Sequence, residues 1–334
     1  MLKWLSVVYA VRALPLDTTF LTLTVRQTEL GSLTFVRLRL LLTEQTRPFR
    51  FALVAFAPVR LSALNYKKTS ADKSGSLFAI VDGRMPEDCE KSLLKYGFEV
   101  IKLRADERLG EAVASHTDML LFRIGNTLVG SKQYFETHRD IFNKITEALP
   151  SFEFILTDDK VSSKYPNDAI FNALRTGNML FAKCDTVSRT VLDLAERERL
   201  TLVNVKQGYP ACTVLALPSF SITADLGMAR ALENHGVRVM RVEESESIKL
   251  PPYKNGFIGG TASVLNGTVY FLGNLLSHPS GKAIRDALLS EGYSAVSLDD
   301  ASDSLFDLGG MILINTDKSG SNTSPKNPKN PKSE

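Results

Sequence analysis

Cysteine and histidine are scarce in this chain. Its 334 residues include three cysteines (Cys89, Cys184 and Cys212) and four histidines, and no two cysteines have C-x-x-C spacing. A sparse, odd number of cysteines argues against a disulfide framework and is typical of a reduced, cytosolic protein. The scattered histidines form no HExxH motif or other metal-binding pattern. The sequence therefore predicts no metal site and no cofactor.

Long apolar runs and a strong net charge are also missing. The apolar stretch Phe51–Pro58 is far shorter than the ~20 residues that cross a bilayer, so no membrane span is expected. The chain has 40 Lys and Arg against 37 Asp and Glu, a formal net charge of +3. This excess is too small to indicate a nucleic-acid partner. The oligomeric state is left open.

Residues 1–76 differ in composition from the rest. Basic side chains far outnumber acidic ones over the first 68 residues, and neither helical nor strand periodicity is sustained. Three interpretations stay open: a basic targeting or anchoring arm, a small β domain, or upstream sequence foreign to the native protein. We expect residues 1–76 to be a disordered or poorly structured extension that ends in the polar linker Lys67–Ser76. Residues 316–334 are rich in Ser, Asn, Pro and Lys and are expected to be a disordered tail.

Between residues 77 and 315 one pattern recurs five times. In each unit a polar or glycine cluster is followed by an apolar strand, a turn, a second strand, a helix and an outer strand. The Asn266-Gly267 pair between two such strands is the strongest hairpin signal, because it suits a type I′ turn. A period of about 45–50 residues indicates a solenoid or a propeller.

The two ends of this region favour a closed ring. The fifth unit, Met311–Ile314, lacks its second hairpin strand, whereas the region begins with a spare strand, Phe78–Asp82. Pairing the two would close the sheet arrangement and remove exposed edges. We therefore predict an α/β fold for residues 77–315, a closed five-fold propeller of ββαβ units.

The unit pattern resembles the pentein fold of guanidino-group-modifying enzymes, and specifically an uncharacterised bacterial branch. The similarity lies in the motifs YPNDAIFNAL, KQGYPACTVLAL, NGFIGG and FDLGG. In catalytic members a cysteine follows the Gly-Gly of the fifth unit, a histidine lies in the fourth unit, and acids bind the guanidinium. This chain has Met311-Ile312 after Gly309-Gly310, and Gly259-Gly260 where the histidine is expected. The usual thiol mechanism is therefore not supported.

An alternative catalytic set is Cys212 with His116. The repeat places Cys212 at the same position as Asp118, Asp168 and Asp307, so one thiol is expected to meet several carboxylates in a central acidic channel. His116 precedes a predicted strand and would share a face with Asp118. A carboxylate-rich channel would raise the pKa of the thiol unless a cation offset it. The competing interpretation is that Cys212 is a small buried hydrophobic residue.

Two hypotheses follow for function. One is an enzyme, a hydrolase or an amidinotransferase acting on a C–N bond of a guanidino compound. The other is a non-catalytic binding or protein-interaction module of the same fold; with either, the expected ligand is a small cationic molecule. The predicted substrate-binding residues are the channel acids, one amide and two glycine pairs: Asp118, Asp168, Asn172, Gly259, Gly260, Asp307, Gly309 and Gly310.

Overall fold

The computed structural model describes residues 76–316 in full and, before them, only the backbone of three strands. The chain divides into two compact units, Met1–Ser70 and Ala71–Glu334. The described part of the first unit is an antiparallel sheet of β1 (Trp4–Ala10), β2 (Phe20–Gln27) and β3 (Leu33–Leu40), with β2 in the centre. The other residues of the predicted extension, and the tail after Thr316, lie outside the described residues.

Five three-stranded sheets are found within residues 76–316, and each has an antiparallel and a parallel pair around its middle strand. The middle strands are β4 (Leu77–Asp82), β7 (Thr127–Ser131), β10 (Met179–Ala182), β13 (Phe220–Thr223) and β17 (Thr268–Phe271). Their parallel partners, the outer strands, are β5 (Phe98–Leu103), β8 (Glu153–Thr157), β11 (Thr201–Asn204), β14 (Arg238–Arg241) and β18 (Ser294–Ser297). Their antiparallel partners, which we call the inner strands, are β20 (Met311–Asn315), β6 (Leu121–Ile124), β9 (Leu174–Thr176), β12 (Val214–Ala216) and β16 (Ala262–Leu265). The remaining short strands, β15 (Ile248–Lys249) and β19 (Leu305–Phe306), pair in parallel.

Helices connect each middle strand to its outer strand, because a parallel pair needs a crossover connection. These helices are α1 (Glu87–Lys95), α3 (Lys132–Thr137) with α4 (Arg139–Ala148), α5 (Arg189–Arg197), α7 (Leu226–Glu233) and α8 (Gly281–Ser290). Asp225 is the N-cap of α7, since its Oδ1 accepts a 2.7 Å hydrogen bond from the Met228 amide. No helix of the described residues is long and apolar enough to cross a membrane.

Two predicted features of the strands are confirmed. The spare strand β4 pairs antiparallel with β20, with Ile80 opposite Ile312, so the first and last strands of residues 76–316 share one sheet. The hairpin between β16 and β17 turns at Asn266 and Gly267, whose φ angles are +52° and +79°. Positive φ at both central residues is what a type I′ turn requires.

The starts of the inner strands differ from prediction. The sequence indicated strands from Met119 and from Thr213, but short helices, α2 (Thr117–Leu120) and α6 (Pro210–Thr213), occupy these positions. The third inner strand, predicted at Ala169–Leu174, begins only at Leu174. A single helical turn before a strand is too short to show helical periodicity, so the alternation of apolar residues was interpreted as strand.

Candidate functional site

A central cavity of about 360 Å³ lies where the five inner strands meet. Each inner strand, or the segment just before it, contributes residues to the wall, whose exposed surface is about equally polar and apolar. Among the described residues that line the cavity, the charged ones are Asp118, Arg123 and Arg175. The expected acid-lined channel is therefore corrected to a wall with one carboxylate and two guanidinium groups.

A second cavity, of about 710 Å³, lies beside β5 and α4. Its charged side chains are largely paired with one another: Lys102 bonds Glu90, and Arg104 makes two hydrogen bonds with the Asp140 carboxylate. None of the predicted site residues lines this cavity. The central cavity is therefore the candidate site, although it is the smaller of the two.

The structure also corrects the repeat register that the sequence suggested. Two residues before each inner strand the chain carries, in order, Met119, Asn172, Cys212, Gly260 and Gly309. Three of these side chains meet, since Asn172 Nδ2 lies 3.2 Å from Cys212 Sγ and 3.6 Å from Met119 Sδ. The predicted equivalence of Asp118, Asp168, Cys212 and Asp307 was wrong, because these residues lie three, six, two and four positions before their inner strands.

Cys212 is buried against a carboxylate. Its thiol donates a hydrogen bond to Asp118 Oδ2 at 2.7 Å, and Asn172 Oδ1 holds the neighbouring Ala211 amide at 2.8 Å. Burial, followed by the charge of Asp118, raises the pKa of Cys212 well above its ordinary value of 9.0. Burial likewise raises the pKa of Asp118. The thiol is therefore protonated at neutral pH and acts here as a hydrogen-bond donor.

His116 lies between two carboxylates, as the N-cap of α2 and not on a strand face shared with Asp118. Its Nδ1 is 3.1 Å from Asp82 Oδ2 and its Nε2 is 3.5 Å from Asp307 Oδ1. Burial alone would lower its pKa, but the bonds to Asp307 and Asp82 raise the pKa to about 9. The ring is therefore an imidazolium at neutral pH, a state that suits a fixed cation better than a general base.

Asp82, at the end of β4, was not among the predicted site residues. It is fully buried, and it accepts hydrogen bonds from Ser115 Oγ at 2.6 Å and from Arg84 Nη2 at 2.7 Å. Burial opposes ionisation, but the bonds to His116, Arg84 and Ser115 hold the pKa of Asp82 well below its usual range. The sequence signal was an acid that ends an otherwise apolar strand. We call Asp82, His116, Asp118, Cys212 and Asp307 the buried acid cluster.

Asp307 depends on glycine for its space. Its Oδ2 accepts a hydrogen bond from the Phe257 amide at 2.8 Å, and its Oδ1 accepts one from the Gly309 amide at 3.2 Å. A Cβ at Gly260 would overlap Asp307 Oδ1. Gly309 and Gly310 have φ of +67° and +66°, which glycine adopts without the steric cost of a side chain.

The other glycine pair has a packing role as well. A Cβ at Gly259 would overlap the carbonyl oxygen of Ala211, in the helix α6 that carries Cys212. Gly259 also lines the cavity, as do Gly309 and Gly310. The glycines therefore let the segments before the inner strands approach one another closely.

Asp168 is separate from the other predicted acids. Tyr209 donates a 2.7 Å hydrogen bond to Asp168 Oδ2, and no hydrogen bond or ion pair joins Asp168 to the buried acid cluster within the described residues. Asp168 does not line the cavity, whereas Asp118 does. The structure thus brings together Asp118, Asn172, Cys212, Asp307 and His116, and leaves Asp168 outside.

Comparison with protein families gives one match. The Family of unknown function (DUF6873) matches residues 80–312, which is more than half of the chain. No curated protein matches the sequence.

Several solved structures are similar to the chain. The amidinotransferase SxtG from Microseira wollei, of the saxitoxin biosynthetic pathway, is 12% identical with a TM-score of 0.43; the match covers 70% of this chain and 94% of that one. The N-terminal domain of ArgZ, a cyanobacterial arginine dihydrolase, is 13% identical with a TM-score of 0.44, covering 67% and 92%. C. jejuni agmatine deiminase is 8% identical with a TM-score of 0.42, covering 68% and 88%. All three have the pentein fold.

Proposed function

The chain belongs to the Family of unknown function DUF6873, and we propose that it binds a small guanidino or other cationic molecule in the central cavity. One observation carries the proposal. Asp118 lines the cavity, and its Oδ1 is a buried atom that has no hydrogen-bond partner among the described residues. A buried carboxylate oxygen without a donor is costly, and a ligand N–H group would supply the missing bond.

The apolar part of the wall supports a small organic ligand. Phe171, Leu215 and Ile312 are among the cavity residues, and their side chains are the kind that cover the non-polar part of a bound molecule. A volume of about 360 Å³ is at the small end of the range for ligand pockets. The Asp118 carboxylate beside these apolar side chains would orient the ligand.

Binding is favoured over thiol catalysis by the state of the cluster. A nucleophilic cysteine needs a lowered pKa, but the surroundings of Cys212 raise its pKa. His116 is already held as a cation by Asp82 and Asp307, so it has no free nitrogen lone pair with which to accept a proton. A hydrolase or amidinotransferase activity on a C–N bond is therefore the second candidate, and it requires a nucleophile other than Cys212.

We also propose that the five sheets form a closed five-fold propeller around the cavity. The pairing of β4 with β20 and the contribution of all five inner strands to one cavity support this arrangement. A cytoplasmic location is proposed from the cysteines, since Cys89, Cys184 and Cys212 are all free.

Calorimetric titration with agmatine, which carries a guanidinium group, and with arginine tests the binding proposal. We expect at least one of them to bind, and Asp118→Asn to weaken binding about tenfold or more, because a charge-assisted hydrogen bond is lost. Asp168→Asn is the matched control, since Asp168 lies outside the cavity and its Oδ1, like that of Asp118, is a buried atom without a hydrogen-bond partner among the described residues; it should leave the affinity unchanged. Absence of binding at millimolar concentration of both compounds would refute the proposal, and so would an Asp118→Asn protein that binds like the wild type.

A further inference from the structure

Two arginines of the cavity wall have no carboxylate partner among the described residues. Neither Arg123 nor Arg175 makes an ion pair with any Asp or Glu of residues 76–316. Elsewhere in the same part of the chain, Arg108 and Arg84 bond Asp106 and Asp82 through two nitrogens each. The cavity therefore holds two positive charges that the protein itself does not balance with an adjacent anion.

Arg123 is the more buried of the two. Its Nε donates a hydrogen bond to the Gly125 carbonyl and its Nη1 donates one to the Leu313 carbonyl, both at 2.8 Å, and its guanidinium lies 5.3 Å from the centre of the Phe152 ring. These contacts fix the plane of the group but leave Nη2 without a hydrogen-bond partner among the described residues. Burial, followed by the charge of Arg175, lowers the pKa of Arg123 to about 10. A buried cation beside a second cation is unfavourable unless an anion joins them.

Arg175 occupies the corresponding place in the next unit. Each arginine lies on an inner strand two residues before the glycine of the hairpin turn, Gly125 or Gly177. Arg175 Nε is 3.4 Å from the Gly177 carbonyl, and its two terminal nitrogens make no hydrogen bond within the described residues. Arg175 is exposed to solvent, so a molecule entering the cavity can reach it.

We propose that Arg123 and Arg175 form an oxyanion-binding site in the wall of the central cavity. The planar guanidinium groups offer paired N–H donors that match the oxygens of a carboxylate or a phosphate. The inference rests on the proposed function and narrows it. A ligand with its cationic group on Asp118 and an anionic group on the two arginines is a zwitterion, and a purely cationic ligand would leave both guanidinium groups unbalanced.

The spacing along the chain suits one small molecule. Asp118 and Arg123 are five residues apart, across the end of α2 and three residues of β6. Helical and extended rises place their Cα atoms no more than roughly 13 Å apart. The two charged positions therefore belong to a single cavity of about 360 Å³ and not to separate sites.

Calorimetry with four probes tests the oxyanion site: arginine, agmatine, glutarate and inorganic phosphate. Arginine and agmatine share the guanidinium group, but only arginine has a carboxylate. We expect wild-type protein to bind arginine about tenfold or more tightly than agmatine, because one bidentate charged contact is added. Arg175→Gln should reduce the affinity for arginine to that for agmatine and leave agmatine binding unchanged. Arg175 is exposed, so this variant is expected to fold.

Arg139→Gln is the control, because Arg139 is an exposed arginine outside the cavity; it should change neither affinity. Equal binding of arginine and agmatine, with no effect of Arg175→Gln, would overturn the oxyanion site while the guanidino proposal stands. Binding of glutarate or phosphate that depends on Arg175, without binding of either guanidino compound, would support the oxyanion site and refute the guanidino ligand. Tighter binding of glutarate than of phosphate would identify the preferred oxyanion as a carboxylate, and the reverse would identify it as a phosphate. If none of the four compounds binds, both proposals are refuted.

Discussion

The buried acid cluster and the pair formed by Arg123 and Arg175 differ in whether a charged side chain has an oppositely charged neighbour. In the cluster, the His116 imidazolium lies between the carboxylates of Asp82 and Asp307, so each charge has its partner inside the protein. On the cavity wall, Arg123 and Arg175 make no ion pair with Asp118 or with any other carboxylate of the described residues. The charge of His116 is balanced within the protein, whereas the charges of Arg123 and Arg175 would be balanced only by a bound anion.

This difference changes which residues are candidates for function. His116 and Cys212 were predicted to be catalytic because histidine and cysteine can act as bases and nucleophiles. In the structure His116 is a cation between two carboxylates, and Cys212 is a hydrogen-bond donor to Asp118. Arg123 and Arg175 were not predicted as site residues, because an arginine on a hairpin strand usually lies on a solvated face. An unpartnered charge in a cavity is the better indicator of a ligand than a reactive residue type whose bonds are already made.

Removing the cation from the cluster should give the largest effect. His116→Gln leaves Asp82 and Asp307 buried without the charge between them, and we expect the free energy of unfolding at pH 7 to fall by about 4 kcal/mol. His278→Gln is the control for burial, since His278 is also buried and accepts a hydrogen bond from the Ser280 amide at 3.0 Å, but forms no ion pair with a carboxylate within residues 76–316. Urea unfolding of both variants measures the difference, and equal losses would mean that the cluster is not charge-balanced as described.

The glycine that gives Asp307 its space comes next. A Cβ at position 260 overlaps a carboxylate that backbone amides hold in place, so Gly260→Ala should lower the free energy of unfolding by about 3 kcal/mol. Gly110→Ala is the matched control, because a Cβ at Gly110 meets no atom within 4 Å and its φ is −65°. Denaturant melts that place both alanine variants at wild-type stability would show that Asp307 can move aside.

The pH dependence of stability separates the cluster from the cavity wall. The pKa of His116 rises from its ordinary value of 6.5 to about 9 in the folded protein. Its stabilisation is therefore fully present below pH ~6.5 and is lost as the pH rises through ~9. We expect the free energy of unfolding to fall by about 2 kcal/mol between pH ~7 and pH ~9. Equilibrium unfolding across this range measures the slope, which Arg175→Gln should preserve; a flat profile for wild-type protein would exclude a charged His116.

Changes at Cys212 should be the smallest. Cys212→Ser keeps a donor for Asp118 Oδ2, so we expect a loss of about 1 kcal/mol or less in the free energy of unfolding. Cys212→Ala leaves that oxygen unpartnered and should cost about 2 kcal/mol. Thermal and urea unfolding distinguish the two variants. If serine proves as costly as alanine, the bond between the thiol and the carboxylate contributes nothing to stability.

Much of the strand and helix order could be predicted from local sequence. The Asn266-Gly267 turn, the helix start at Asp225 and the pairing of Phe78–Asp82 with the last strand follow from short-range signals and from counting strands. The short helices before the inner strands could not be predicted, since one turn carries no period. The predicted starts of the inner strands were therefore misplaced, and Asp168 was matched to Cys212. In the structure it is Asn172 that, like Cys212, lies two residues before an inner strand, and the two side chains are in contact.

The candidate site was predicted only in part, for a related reason. The predicted site residues were chosen by their place in the predicted repeat. Asp118, Asn172, Cys212, Asp307 and the two glycine pairs lie at or behind the cavity, whereas Asp168 does not. Asp82, Arg123 and Arg175 were missed. Their sequence neighbourhood is that of ordinary strand residues, and only contact between distant units gives them a common environment.

The sequence by itself determined most of the strands and helices of the five three-stranded sheets and most of the segments that line the cavity. It did so because hydrophobic periodicity, turn residues and glycines act over a few positions. Tertiary structure alone decided the protonation states and the ion pairing of the side chains at and behind the cavity. Whether His116 is a base or a cation, and whether Arg123 is paired or unpaired, depends on carboxylates brought close from other units, and the pKa of each group follows from that proximity and from burial.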